Sequence, residues 1–313
     1  MGKLLPALGL AAALLFSGLA PAASAVVVSS KLSSESAIIG YMIRLLLEAN
    51  GIPTEDRMIL GATPIMRRAI IAGEIDLYVE YTGNAGFFFN QASDPAWKDL
   101  DQGYALGARL DYGANRIVWL TPARANNTWA LAVRADIAAP AQLKTMTDFG
   151  RWVSGGAKVI LACSAEFANS STLKSLEKTY RFHLKPSQMI VLAGGDTSAT
   201  IRAAAERTNG TNTAMVYETD GAIEAAQLQV LSDDRHDQPV YAPVPIIRER
   251  TLKAQPRIAA ILKPLMDSFT SANLRQLNAR VQISGESPVS VAEDCLKARG
   301  FVRPARHLAR GSP

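Results

Sequence analysis

The sequence predicts an α/β protein built as a two-lobed clamp, each lobe a mostly parallel sheet flanked by helices. Three observations predict it. Apolar runs of strand length alternate with helical patterns along most of the chain. The length, 313 residues, suits about two domains. The third is an internal echo. Gly61-Ala62-Thr63-Pro64-Ile65-Met66-Arg67-Arg68-Ala69 resembles Gly195-Asp196-Thr197-Ser198-Ala199-Thr200-Ile201-Arg202-Ala203. After each comes a helical stretch, then a strand ending in Tyr and a Thr/Gly turn. The spacing is too long for a solenoid and reads as two similar lobes. Chance similarity of two helix starts is the alternative. Two facing lobes make a hinged clamp.

The elements follow in order. Residues 1–25 read as a secretory signal peptide: Lys3 supplies the positive start, an apolar stretch follows, and Ala23-Ser24-Ala25 fits the small-residue cleavage rule. A membrane anchor is the alternative, since the stretch is near spanning length. No Cys follows it, which argues against a lipid anchor. Cleavage would release an exported protein, and a bacterial periplasm is the economical location. Residues 26–28 open a strand. A helix is expected over 35–50, ending at Gly51, and another opens at Thr63-Pro64, with Thr as cap and Pro in the first turn. Strands are expected at 75–81, 116–120, 129–133, 158–162, 189–192 and 213–217. Residues 256–301 read as helices, with Pro256 and Pro288 near helix starts.

Composition narrows the function. Hydrophobic residues make up 48% and charged residues 19%, which excludes a disordered or fibrous chain. The formal charge of +5 is spread without a dense basic block, so no nucleic-acid partner is expected. Cys163 and Cys295 exclude a disulfide framework and a Cys-rich zinc site, and read as two separate buried thiols. Three His leave little material for a metal centre. No cofactor is expected. The chain has no G-x-S-x-G, H-E-x-x-H, P-loop or G-x-G-x-x-G. Gly194-Gly195-Asp196-Thr197 could cap a helix and face an anion, but lacks the Lys of a phosphate loop. Ser170 or Ser171 with His183 would make a nucleophile and base, without a local signature. His236 reads as part of a solvated loop and His307 as part of a basic tail. The sequence reads as a binding protein rather than an enzyme.

The aromatics say more. They are 7% of the chain, yet four sit beside small polar residues at strand ends. Tyr81 precedes Thr82-Gly83-Asn84, and Trp129 follows Asn126-Asn127-Thr128. Tyr217 precedes Glu218-Thr219-Asp220-Gly221, and Tyr241 precedes Ala242-Pro243. Open α/β sheets place ligands outside the carboxyl ends of their strands. One such ring alone would be core or surface. Four over both lobes point to a shared aromatic box, which suits a quaternary ammonium group. Phe87-Phe88-Phe89 is expected to pack beneath the cleft. Glu35 and Asp196 are expected at helix starts, where either could also face the cleft and favour a cation.

From about residue 28 to 301 the chain resembles the glycine betaine/carnitine/choline-binding proteins of osmoprotectant ABC importers, with the stress-linked periplasmic protein of enteric bacteria as the nearest branch. The resemblance rests on Gly61-Ala62-Thr63-Pro64, Asp76-Leu77-Tyr78-Val79-Glu80-Tyr81-Thr82-Gly83-Asn84, Trp119-Leu120-Thr121-Pro122-Ala123, Asn126-Asn127-Thr128-Trp129, Ala193-Gly194-Gly195-Asp196-Thr197, Tyr217-Glu218-Thr219-Asp220-Gly221 and Tyr241-Ala242-Pro243-Val244-Pro245. It implies a periplasmic-binding-protein clamp with two hinge crossovers. Lobe one would comprise residues 26–125 plus 238–305, lobe two residues 126–237, and 306–313 a flexible tail. It implies a box of Tyr81, Trp129, Tyr217 and Tyr241, Trp129 standing where the family has Tyr. The family Lys and Thr that meet a ligand carboxylate fall on Lys31 and Asn84, and Asn127 joins the expected set. The family Arg that clamps the carboxylate falls on Ser170. One neutral hydroxyl cannot replace two charge-assisted hydrogen bonds, so glycine betaine itself is a doubtful ligand and carboxylate-free choline escapes the penalty. The implied partners are a small solute and an ABC permease of the inner membrane, the subunit itself acting as a monomer. A stress-signalling receptor on the same clamp is the alternative role.

Overall fold

The computed structural model describes residues 25–192 and 197–302. Nearly all of the signal-peptide stretch, the Gly194-Gly195-Asp196 loop and the tail with His307 lie outside the described residues. Among those described, ten strands form two five-stranded sheets. They are β1 (Val26–Lys31), β2 (Thr54–Gly61), β3 (Leu77–Tyr81), β4 (Ile117–Trp119), β5 (Trp129–Arg134), β6 (Leu161–Ser164), β7 (Met189–Leu192), β8 (Thr213–Tyr217), β9 (Leu228–Val230) and β10 (Pro243–Arg248).

The first sheet has the order β2-β1-β3-β10-β4 and the second β7-β6-β8-β5-β9. The two orders correspond strand for strand. So do the directions. In each sheet the first three strands pair in parallel, and the last two join antiparallel. Four of the five strands in each sheet therefore run the same way, so the sheets are mostly parallel as expected, with β10 or β5 alone reversed. The cause is the chain path: β5 and β10 are the strands that enter each sheet from the other, and each runs against the strand beside it. The internal echo lands on this symmetry. Helix Thr63–Ala72 leads into β3 and helix Thr197–Ala205 into β8, and both strands hold the third place in their sheets.

Local chemistry sets the ends. Helix Ser34–Ala49 is capped by the Ser33 hydroxyl, which accepts from the Ser36 amide. At the next helix Thr63 is the first helical residue, not the cap; Ala62 holds the cap position without a side-chain bond, and Gly73 closes the helix at φ +81°. β10 carries Pro243 and Pro245, which argue against a strand between two others. It survives there because β4 is short. The β4 ladder begins only at Ile246 opposite Trp119, and the Pro243 and Pro245 carbonyls accept from Ala123 and Leu120 beyond it.

Hydrophobic clusters cover both faces of each sheet. On one face of the first sheet, helix Ser34–Ala49 packs with the C-terminal helices Arg257–Asp267, Ser271–Gln282 and Pro288–Ala298. The chain thus returns from the second sheet to complete the first. Cys163 in β6 and Cys295 in helix Pro288–Ala298 are free and buried in separate clusters. Burial pushes the Cys163 thiol up to about 11, so it is no nucleophile at neutral pH. No helix among the described residues is long and apolar enough to cross a membrane.

Candidate functional site

The two segments that cross between the sheets run side by side. The Asn127 amide donates to the Tyr241 carbonyl at 3.0 Å, and the Tyr241 amide donates to Asn126 Oδ1 at 2.8 Å. Thr82, just past β3, grips the same strand: its hydroxyl donates to the Val240 carbonyl at 2.7 Å and accepts from the Ala242 amide at 3.0 Å. Tyr241 is thereby fixed from both sides. Its ring lies on Gly83, where a Cβ would stand 2.8 Å from the ring. Glycine is needed there for the approach.

Between the sheets opens a cavity of about 910 Å³. Tyr81, Trp129, Tyr217 and Tyr241 all line it, with Asn84, Asn127 and Ser170. The rings form two matched pairs. Trp129 opens β5 directly opposite Tyr217 at the end of β8. Tyr81 ends β3 opposite Pro243 of β10, two residues after Tyr241. Phe167 backs the Trp129 ring edge-on, centroids 5.6 Å apart. Burial raises the phenol pKa of Tyr81, Tyr217 and Tyr241, which keeps these rings neutral.

Of the expected polar groups, Asn84, Asn127 and Ser170 reach the cavity wall. Lys31 is not in the cavity wall. It ends β1, next to β3, and forms a buried ion pair with Glu80 of that strand, which is 0% exposed. Glu80 also accepts from the Tyr78 hydroxyl, the Tyr81 amide and the Asn84 side-chain amide. Asn84 lines the cavity but gives a side-chain N–H to Glu80 at 2.7 Å. Ser170 donates its hydroxyl to the Phe167 carbonyl at 2.7 Å and accepts from the Leu173 amide, capping helix Ser171–Tyr180. All three groups expected near a ligand carboxylate are thus engaged with the protein.

Other groups complete the wall. Glu35, at the start of helix Ser34–Ala49, accepts from the Tyr81 hydroxyl at 2.8 Å, Asn278 Nδ2 at 2.9 Å and Asn127 Nδ2 at 3.3 Å. Burial raises its pKa, opposed by hydrogen bonds from Thr219, Tyr81, Asn278 and Asn127. Asn278 belongs to helix Ser271–Gln282, packed on the first sheet. It had a sequence signal: Leu274, Leu277 and Asn278 share one buried helical face, where a polar residue needs a reason. The same helix reaches the turn after β8. Arg275 donates to the Glu218 carbonyl, Asn278 to the Thr219 carbonyl, and the Gly221 amide donates to Gln282 Oε1. Phe87, expected beneath the cleft, lies in its wall at 64% exposure, while Phe88 and Phe89 pack against the first sheet's core and beside Arg67.

Ser170 and His183 make no nucleophile–base pair. The Ser170 hydroxyl donates to a backbone carbonyl, and the His183 side chain, 73% exposed, faces Glu177 at 3.2 Å. Asp237 is buried in the cavity wall, held by Ser175 and Thr179, whereas the adjacent His236 is exposed. Among the described residues no three His, Cys, Asp or Glu are grouped to hold a metal ion.

Two like lobes joined by two adjacent crossovers around a solute-sized cavity define a solute-binding protein. The chain belongs to the family of substrate-binding domains of ABC-type glycine betaine transport systems, whose profile matches residues 24–298. It is 46% identical over 283 residues to the glycine betaine-binding protein YehZ of Escherichia coli, covering 90% of this chain and 93% of YehZ. The apo structure of Escherichia coli YehZ superposes with a TM-score of 0.84, over 90% of this chain and 100% of that one. The ergothioneine transport permease/ergothioneine binding protein EgtU of Helicobacter pylori is 30% identical over 88% of this chain, which matches 48% of EgtU. The protein is therefore an ABC-importer subunit of the periplasm, partnered by a small solute and a permease, and not an enzyme.

Proposed function

We propose that this subunit captures a small quaternary-ammonium solute in the box formed by Tyr81, Trp129, Tyr217 and Tyr241. One observation carries the reading: the four rings come two from each sheet, each at or beside a strand end, and all four line one cavity. Quaternary ammonium groups have no N–H to donate and are held by aromatic faces, each worth ~0.5 to 2 kcal/mol when desolvated. The name of the 46%-identical relative, a glycine betaine-binding protein, points to the same chemical class.

In this reading residues 26–125 with 238–305 move as one lobe and 126–237 as the other. Closure is a population shift driven by better contacts in the closed state. Export follows cleavage of residues 1–25, the mature chain acts as a monomer, and its uptake role is linked to stress. Lys31 supports the box from behind, while Asn84 faces the solute from the cavity wall with one N–H held by Glu80.

The test is thermal unfolding of the mature protein against choline, glycine betaine, carnitine, proline betaine and uncharged amino acids. A ligand at a hundred times its dissociation constant adds ~2.7 kcal/mol of stability. A shift with at least one quaternary amine and none with the amino acids is expected. No shift with any quaternary amine would sink the reading.

A further inference from the structure

The charges around the box do not suit a zwitterion. The cavity wall contains the carboxylates of Glu35, Glu166, Asp220 and Asp237, and one cationic side chain, Lys98. Lys98 lies 3.6 Å from Asp237, with which it pairs. Lys31, the other nearby cation, is tied to Glu80. Two of the four carboxylates are joined to box residues: Asp220 accepts from the Tyr217 backbone amide, whereas Glu35 accepts from the Tyr81 phenol and so acts on a ring directly. Glu35 is only 4% exposed, so little water screens its charge.

Its surroundings are unusual for a buried carboxylate. Among the described residues no cationic side chain donates to it; its side-chain partners are two hydroxyls, of Tyr81 and Thr219, and two amides. Each amide gives its N–H to Glu35 and leaves its carbonyl oxygen, Asn127 Oδ1 or Asn278 Oδ1, buried without a hydrogen-bond partner. Asn278 is 2% exposed. Two partnerless amide carbonyls and one carboxylate therefore lie close together at the Tyr81 hydroxyl, and the cation on that ring, Lys31 with its Nζ 4.9 Å from the centroid, is paired with Glu80 rather than with them. Such an arrangement is costly to bury and calls for a positive partner from outside.

We propose that Glu35 sets the charge selectivity of the box: it supplies the counter-charge that makes the site prefer a solute of net positive charge over a zwitterion bearing a carboxylate. The proposal rests on the aromatic-box reading and adds to it. Glu35 acts partly through Tyr81, whose ring becomes a better cation partner when its phenol donates to an anion. It is a positioning and charge-setting residue. A carboxylate brought into the same cavity would meet Glu35 and the orphan carbonyls without a free Arg or Lys to offset them.

The experiment is calorimetric titration of the mature protein, its Glu35→Gln variant and its Glu35→Asp variant with choline and with glycine betaine at fixed ionic strength. The wild type is expected to bind choline more tightly than betaine. Glu35→Gln should weaken choline by about tenfold or more while leaving betaine unchanged or tighter, and Glu35→Asp should retain the preference. A merely structural role would weaken both ligands by the same factor, and that result overturns the proposal. A wild type that binds betaine at least as tightly as choline overturns the charge assignment and leaves the box intact. Binding of neither ligand by the wild type overturns the box and this proposal together.

Discussion

Trp129 and Tyr217 stand directly opposite each other in the antiparallel register of β5 and β8, their ring centroids 6.3 Å apart. Neither strand could place both rings alone. β8 ends at the cleft, whereas β5 begins there, so a residue at the first position of one faces a residue at the last position of the other. The first sheet repeats the device with Tyr81 at the end of β3 and Tyr241 just ahead of β10. A chain that enters each sheet antiparallel thus brings two rings per lobe to the cavity edge. The one reversed strand in each sheet is what brings these rings to the cavity.

Removing one ring from this pair should weaken binding without unfolding the protein. Tyr217→Ala and Trp129→Ala each remove a partly exposed ring, and each should raise the dissociation constant of a bound quaternary amine by about threefold to thirtyfold. Trp129→Tyr should cost less, since a π face remains. Calorimetric titration of the three variants checks this, with circular dichroism to confirm the fold.

Gly221 fixes how the second sheet meets helix Ser271–Gln282. A Cβ there would stand 2.2 Å from the Ala279 amide nitrogen, against helix backbone that cannot swing aside. Gly221→Ala should lose ~1 to 3 kcal/mol by overpacking and push the lobes apart. Gly113→Ala is the control, because its Cβ would meet nothing within 4 Å. Denaturant unfolding and small-angle scattering should show a lower midpoint and a larger radius of gyration for the first variant only.

Sequence pattern reveals β7 and β8 at their observed bounds, since each is a short apolar run between polar turns. It picks out four rings that line the cavity because each adjoins a small polar turn. It misses β10, whose two prolines mimic a loop, and β2, which carries Glu55, Asp56 and Arg57 in a row and lies largely exposed on an edge. The engagement of Lys31 cannot be read locally, because it depends on β1 lying beside β3. The surroundings of Glu35 are equally nonlocal. Asn278 reaches it across 243 residues of sequence, and no window of the chain contains both.

The Lys31–Glu80 pair supports the box from behind, and breaking one side should show it. Glu80 is fully buried, so Lys31→Met leaves its carboxyl with the hydrogen bonds from Tyr78, Tyr81 and Asn84 but without its ion-pair partner. The expected loss is ~3 to 5 kcal/mol. The double variant Lys31→Met/Glu80→Gln should recover part of it, which urea denaturation can measure. Were Lys31 instead a direct ligand group, affinity for betaine would fall while stability hardly moved.

Glu35 makes a prediction for pH. Burial raises its carboxyl above the ordinary value of 4.5, the hydrogen bonds from Thr219, Tyr81, Asn278 and Asn127 only partly opposing the shift. The native protein therefore holds this proton more tightly than the unfolded chain does. Between pH 4.5 and the raised native value the folded state binds more protons, so this group's contribution to stability falls as pH rises. Glu35→Gln removes that contribution while keeping a side chain of the same size. Whatever the absolute stability of the variant, the difference in melting temperature, wild type minus variant, should be largest near pH 4 and should shrink toward neutrality. Differential scanning calorimetry of the ligand-free proteins from about pH 4 to 8 tests it. A difference that grows with pH would mean that the native site stabilises the ionised carboxylate, with the four side-chain donors outweighing burial. Saturating choline should reduce the slope, because a cation in the box stabilises the charged form of Glu35 and lowers its pKa.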